Sequence, residues 1–179
     1  MKGEGLSRPA VLGRSIRTAH RLDRTQLVPL PVEDAFAFFA DAGNLEALTP
    51  PWLRFRILTP RPIAMRMGTT IEYVLSLHRV PVRWRTEIVD FEPGRRFADN
   101  QIDGPFRLWL HTHTFEEHEG GTLIRDTVLY RMPYGAVGAI AHRVLVARDL
   151  ERIFDYRRDA VSRLLGEAGS TAALAAPGA

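Results

Sequence analysis

The 179-residue chain contains no cysteine. Disulfides, thiolate nucleophiles and cysteine-ligated zinc are thereby excluded. Lysine is nearly absent too: Lys2 is the only one among 24 basic residues. Arginine keeps its charge to high pH, so a pI of about 9.8 accompanies a formal net charge of only +3. The arginines are not gathered in one stretch. They alternate with Asp and Glu as on a solvated face, and the concentrated basic patch of a nucleic-acid binder is missing. Long apolar runs are missing as well. None approaches the roughly 18 residues that a membrane helix needs, and residues 1–20 lack the compact apolar block of a secretory signal. The expectation is a soluble cytoplasmic protein that does not bind nucleic acid and has no stable membrane insertion.

Hydrophobic residues make up 45% of the chain and charged residues 25%, which suffices for one packed core at this length. Residues 1–17 mix Gly, Ser, Pro and Arg without period and are expected to be a flexible arm. Residues 166–179 are small and poor in core formers and are expected to be a loose tail. The domain is expected over 18–165.

The first ordered segment reads as a strand near His20–Leu30. Pro31 opens a helix, with Glu33 and Asp34 at the positive end of its dipole and with Ala35, Phe36, Phe39 and Ala40 on one stripe. Asn44 can cap a second short turn, Leu45–Leu48, which Thr49-Pro50-Pro51 ends. The period then changes to two. Ile71, Tyr73, Leu75 and Leu77 share a face. Val80-Pro81 marks a turn, after which Trp84, Thr86 and Ile88 share a face opposite Arg83, Arg85 and Glu87. Pro93-Gly94, Gly104-Pro105 and Gly120-Gly121 punctuate three further strands. These place together Phe97, Asp99 and Gln101; then Trp109, His111, His113 and Phe115; then Ile124, Asp126, Val128 and Tyr130. A long helix over Val137–Leu165 follows, its stripe running through Ile140, Val144, Ala147, Leu150, Phe154, Val161 and Leu164. Short strands joined by Pro/Gly turns predict an antiparallel sheet with one buried face, and the helix stripe must cover it.

The order is strand, two short helices, six strands, long helix. Together with TPPWLRFRI at 49–57, the segment from Trp84 to Gly135 and IFDYRRDAVSRLL at 153–165, it resembles the SRPBCC superfamily of START domains, Bet v 1-like proteins and polyketide cyclases. More narrowly it resembles bacterial ligand-binding and cyclase/dehydrase members, some of which precede a nucleotide-sugar epimerase-like domain. The resemblance covers about residues 18–165. It implies an α+β helix-grip fold, a seven-stranded antiparallel sheet wrapped around the C-terminal helix, with a ligand cavity between the two.

Strand parity alone leads to the same face. It gathers Gln101, His113, Asp126 and Tyr130 among Tyr73, Trp84, Trp109, Phe115 and Val128. A mostly apolar wall with a few converging polar groups suits a small hydrophobic ligand. The plainer reading is that these polar groups satisfy one another in a packed core. His111 and His113 have a spacing that can seat a metal, with Asp126 available as a third ligand; the aromatic neighbours favour a ring-lined wall, and no metal is expected. Gly120-Gly121 is a hairpin turn and not a phosphate loop, so no cofactor is expected either. Phe36, Phe38, Phe39, Leu45, Leu48 and Trp52 are candidates for a gate, and an exposed aromatic there suits transient membrane contact. Three functions remain open. The first is a carrier for a lipid, polyketide or isoprenoid-like molecule. The second is a polyketide cyclase, aromatase or dehydratase using His113 as base, Asp126 as its partner and Tyr130 as proton donor. The third is an interaction protein like the respiratory-chain helpers of the same superfamily.

Overall fold

The computed structural model describes residues 19–133 and 145–175, with side chains through residue 166. The arm over 1–17 and the first part of the expected last helix, including Ile140 and Val144, lie outside the described residues.

Strand β1 (His20–Val28) is followed by helix α1 (Val32–Phe39). Two 3-10 turns, Ala42–Leu45 and Pro51–Leu53, come next. Strand β2 (Arg56–Ile57) is short, and β3 (Thr70–Leu77), β4 (Val80–Glu92), β5 (Arg96–Asp103), β6 (Leu108–His118) and β7 (Gly121–Arg131) form the meander. Helix α2 (Ala147–Ala175) closes the chain. The seven strands form one antiparallel sheet in the order β1-β7-β6-β5-β4-β3-β2. Consecutive strands from β2 to β7 are neighbours, and β1 returns to the free edge of β7. No helix among the described residues is long and apolar enough to cross a membrane.

Three details differ from the sequence reading. The short turn after α1 falls on Ala42–Leu45 instead of Leu45–Leu48, because Asp41 caps it by accepting the Gly43 N–H, while the Asn44 amide donates to the Phe38 carbonyl. The β3–β4 turn falls on His78 and Arg79, both at positive φ, while Pro81 pairs with Ser76 inside β4. Positive φ at both central residues is the type I′ turn, one of the two whose twist matches that of the flanking strands. Helix α2 also continues beyond Leu165 to Ala175. The segment is rich in alanine, the strongest helix former, so its lack of core residues does not stop the helix.

The core has two parts. At one end Phe36 and Phe39 of α1 pack with Phe97, Phe115, Ile124, Val161 and Leu165. At the other, Trp84, Trp109, Val128 and Tyr130 of the sheet meet Leu150 and Phe154 of α2. Within α2 the buried Leu150, Phe154, Val161 and Leu165 lie on one face, with the partly buried Arg157 in the gap between Phe154 and Val161 and with Arg148, Arg152, Arg158 and Asp159 outside. Burying such a stripe against the sheet supplies on the order of 25 cal/mol per Å² of apolar area. Strand β4 carries register shifts at Arg85/Thr86 and Ile88/Asp90. Extra residues of this kind bend a strand and increase its twist. The bend lets the sheet curl around α2 and leaves space between them.

Candidate ligand cavity

That space is a cavity of about 300 Å³ between the concave face of the sheet and α2. Strand β3 contributes Ile71, Tyr73, Leu75 and Leu77 from one pleat face. Strand β4 contributes Trp84 and Thr86, while Trp109 and Phe106 lie against Trp84 with ring centroids 5.1 and 5.5 Å away. Phe39, Leu45, Leu48 and Leu53 wall the α1 side, and Leu150, Ile153 and Phe154 form the roof. The lining is overwhelmingly apolar. The indole N–H of Trp84 is buried with no acceptor among the described residues.

One wall is polar, and the sheet register builds it. Asp99 of β5 lies directly opposite His111 of β6, and His113 of β6 directly opposite Asp126 of β7. The His111 ring therefore sits between two carboxylates: its Nδ1 is 3.7 Å from Asp99 Oδ1 and its Nε2 is 3.7 Å from Asp126 Oδ1. His113 Nδ1 is 2.5 Å from Asp126 Oδ1, a contact off line for a hydrogen bond. Arg157 of α2 brings Nε to 3.7 Å from the other oxygen of Asp126. Asp99 accepts a hydrogen bond from the Thr86 hydroxyl at 2.9 Å.

Burial governs the charges here. Desolvation, then the neighbouring His111, pulls His113 down to about 3 against the attraction of Asp126. His113 is thus a neutral imidazole at neutral pH. Asp126 is held well below the usual carboxylate range; burial pushes it up, but the adjacent His113 and His111 and the Arg157 guanidinium together outweigh that. Asp99 is pushed up chiefly by burial, opposed by His111 and the Thr86 hydroxyl. Burial, reinforced by Asp99, also holds Tyr73 well above its ordinary value, so it stays a phenol.

Of the residues that strand parity proposed, Tyr73, Trp84, Trp109 and His113 line the cavity. The others are placed differently. Gln101 spends its amide on the backbone of Phe106, donating from Nε2 to the carbonyl at 2.6 Å and accepting from the N–H at 3.3 Å. It pins the β5–β6 turn. Val128, Phe115 and Tyr130 face inward but are sealed in the packed core. Asp126 stands behind the two histidines, on a small crevice beside Arg24 and Arg158. The expected site omitted Asp99, His111 and Thr86, although they share the inner parity, and it omitted Arg157 of α2; all four reach the cavity. Arg157 was detectable: it occupies the gap between Phe154 and Val161 in the α2 stripe, so it had to point inward. The donor set with cation-binding geometry is also not the expected one. Asp99, His111 and His113 each offer one ligand atom within 4.8 Å of the others. Asp126, instead of completing that set, supports His113 and Arg157 from behind.

The family model described as "Polyketide cyclase / dehydrase and lipid transport" matches residues 28–154. The chain belongs to this family. It is a ligand-binding domain of the SRPBCC superfamily, and the match runs from the end of β1 through the first turns of α2, covering the cavity-lining residues up to Phe154. Solved structures share the fold. Protein Ms6760 from Mycobacterium smegmatis is 20% identical, with a TM-score of 0.61 over 83% of this chain and 92% of that one. The Bet v 1-like Ara h 8.0201 superposes with a TM-score of 0.57 at 13% identity, over 83% of this chain and 99% of its own. A nucleoside-diphosphate sugar epimerase from Corynebacterium glutamicum is 27% identical over 78% of this chain, with a TM-score of 0.58, but only 28% of that protein is covered. No curated protein matches the sequence.

Proposed function

We propose that the protein binds a small hydrophobic molecule, of the lipid, polyketide or isoprenoid kind, in this cavity and releases it unchanged. The observation that carries the reading is a largely apolar cavity of about 300 Å³ with Asp99 and the buried His111 and His113 gathered on one wall. That volume lies at the lower end of ligand sites, on the order of 300–1,000 Å³. Tyr73, Trp84 and Trp109 supply contact area. Asp99, His111 and His113, with the indole N–H of Trp84, which has no acceptor among the described residues, orient a polar group on the ligand.

The close contact of His113 with Asp126 favours a second reading, a cyclase or dehydratase with His113 as base. Efficient general bases have a pKa near the working pH. A histidine held at about 3 is a weak base at neutrality, which supports binding over turnover.

Native mass spectrometry of gently purified protein tests the proposal, followed by titration with fatty acids, quinones and aromatic polyketides and a search for product after long incubation. One unchanged ligand per chain is the expected result. Asp99→Asn should alter discrimination among head groups more than affinity for the apolar body. Product that disappears in both His113→Ala and Asp126→Asn, with binding retained, transfers the assignment to the enzyme. A folded protein that binds no apolar molecule overturns the carrier reading.

A further inference from the structure

We propose that the cavity mouth carries a second subsite, a cationic groove that takes the anionic head group of an amphiphilic ligand whose apolar body occupies the cavity. This rests on the ligand-binding reading above and narrows its ligand class.

The groove encloses about 350 Å³ and is lined by Trp52, Arg54, His78, Arg79, Asp149 and Arg152, among others. It is continuous with the cavity: Leu53, Leu77 and Ile153 line both. Three of its side chains are arginines from separate elements. Arg54 ends the 3-10 turn over Pro51–Leu53, Arg79 sits in the β3–β4 turn, and Arg152 projects from α2. None of the three makes an ion pair with a carboxylate among the described residues. Other arginines lack such a partner too, among them Arg56, Arg66, Arg85, Arg107, Arg148 and Arg163, but they are scattered outside the groove; what distinguishes Arg54, Arg79 and Arg152 is that three unpaired guanidinium groups line one concave surface. The one carboxylate of the groove, Asp149, is engaged by His78 Nε2 at 2.7 Å.

Unpaired like charges in one groove repel each other, and an anion relieves that repulsion. A guanidinium offers a carboxylate or phosphate paired N–H donors. Arg152 is also held in place, its Cζ 5.6 Å from the centre of the Trp52 ring. Trp52 itself is 50% exposed and stacks edge-on to Tyr156, giving the groove an apolar floor next to its charges. Among the described residues the one guanidinium of the inner chamber is Arg157, paired with Asp126 at the polar wall, while His78 and Asp149 stand between the two spaces. An amphiphile entering chain first would leave its head among these three arginines.

The test compares probes with one chain and different heads: dodecyl phosphate, dodecanoate and dodecanol, each below its micelle concentration, with inorganic phosphate alone as a control. Binding is read by calorimetry at low salt. The anionic heads should bind about tenfold tighter than the alcohol, the ratio that one charge-assisted hydrogen bond supplies. The gap should narrow as salt is added. The triple variant Arg54→Gln/Arg79→Gln/Arg152→Gln should lose the gap and keep its affinity for dodecanol. These positions are at the surface, and circular dichroism checks that the fold is retained. A larger gain for phosphate than for carboxylate would assign the head group as a phosphate. Equal binding of the alcohol and the anions overturns the groove while leaving the cavity reading intact, as does a gap that survives in the triple variant. Inorganic phosphate binding as tightly as dodecyl phosphate overturns it too, since the chain would then contribute nothing. Failure of all three chain-bearing probes removes the cavity reading and the groove with it.

Discussion

His113 and Asp126 face each other across the β6–β7 ladder, with Nδ1 2.5 Å from Oδ1 and both side chains almost wholly buried. Arg157 reaches the far oxygen of Asp126 from α2, so this carboxylate ties the helix to the sheet. Removing one partner of a buried pair leaves the other charge uncompensated, at a cost of about 3–5 kcal/mol. Asp126→Ala is expected to lower unfolding free energy by about that amount, measured by urea denaturation, because Arg157 is then stranded. A change of less than about 1 kcal/mol would mean that Arg157 finds solvent instead.

The same site sets the response to acid. His113 is pulled from 6.5 to about 3 in the folded protein, first by burial and then by His111. Between those values the unfolded chain binds a proton that the folded chain refuses. Stability is therefore complete above the unfolded value and falls as the pH drops toward the folded one, by about 1.4 kcal/mol per pH unit inside the window. The depressed Asp126 acts in the same direction at lower pH, and the raised Asp99 acts against both. Urea midpoints measured between about pH 7 and pH 4 should decrease in the wild type. In His113→Phe the decrease should be much smaller. An equal slope in the two proteins would show that His113 is not the titrating group.

Strand parity was enough to find the inner face, since a period of two leaves each residue only two choices. It found Tyr73, Trp84, Trp109 and His113 on the cavity wall for this reason. Parity is silent on position along the strand. Val128 and Phe115 satisfy it fully, yet they lie beneath α2 and α1, where the core is closed. Gln101 satisfies it too, but its amide reaches the Phe106 backbone first. Where the cavity opens depends on how far α2 stands from the curved sheet. That distance follows from the β4 register shifts and the bulk of Trp84, Trp109 and Phe154 together, which no local pattern carries. Asp99 and His111 shared the inner parity with their neighbours. Their pairing depends on strand register, which short turns such as Gly104-Pro105 do not reveal.

Two of the three tryptophans should report occupancy. Trp84 and Trp109 line the cavity, whereas Trp52 lies outside it, beside Tyr156 and Arg152. Entry of a probe without an anionic head, such as dodecanol, is expected to change intrinsic emission in the wild type and in Trp52→Phe to the same extent. The change should be lost in Trp84→Phe/Trp109→Phe. A signal that follows Trp52 would place the ligand in the outer groove only.

Binding and folding can be separated by two substitutions that look similar in sequence. Val128 is 0% exposed and does not line the cavity. A carboxylate there has neither water nor a partner, and the cost of an unpaired buried charge is comparable to the roughly 5–15 kcal/mol that holds a domain together. Val128→Asp is therefore expected to unfold the protein, with loss of the cooperative thermal transition, and any loss of binding would be secondary. Leu45 lines the cavity from the 3-10 turn over Ala42–Leu45 and is only partly buried. Leu45→Trp adds bulk toward the empty space without introducing charge, and the indole can turn toward solvent at modest cost. This variant should keep its melting temperature within a few degrees, about the shift that 1 kcal/mol produces. Its affinity for long-chain probes should fall at least about tenfold, which corresponds to about 1.4 kcal/mol. Full affinity in a folded Leu45→Trp would place the ligand away from this wall, deeper against Trp84 and Trp109.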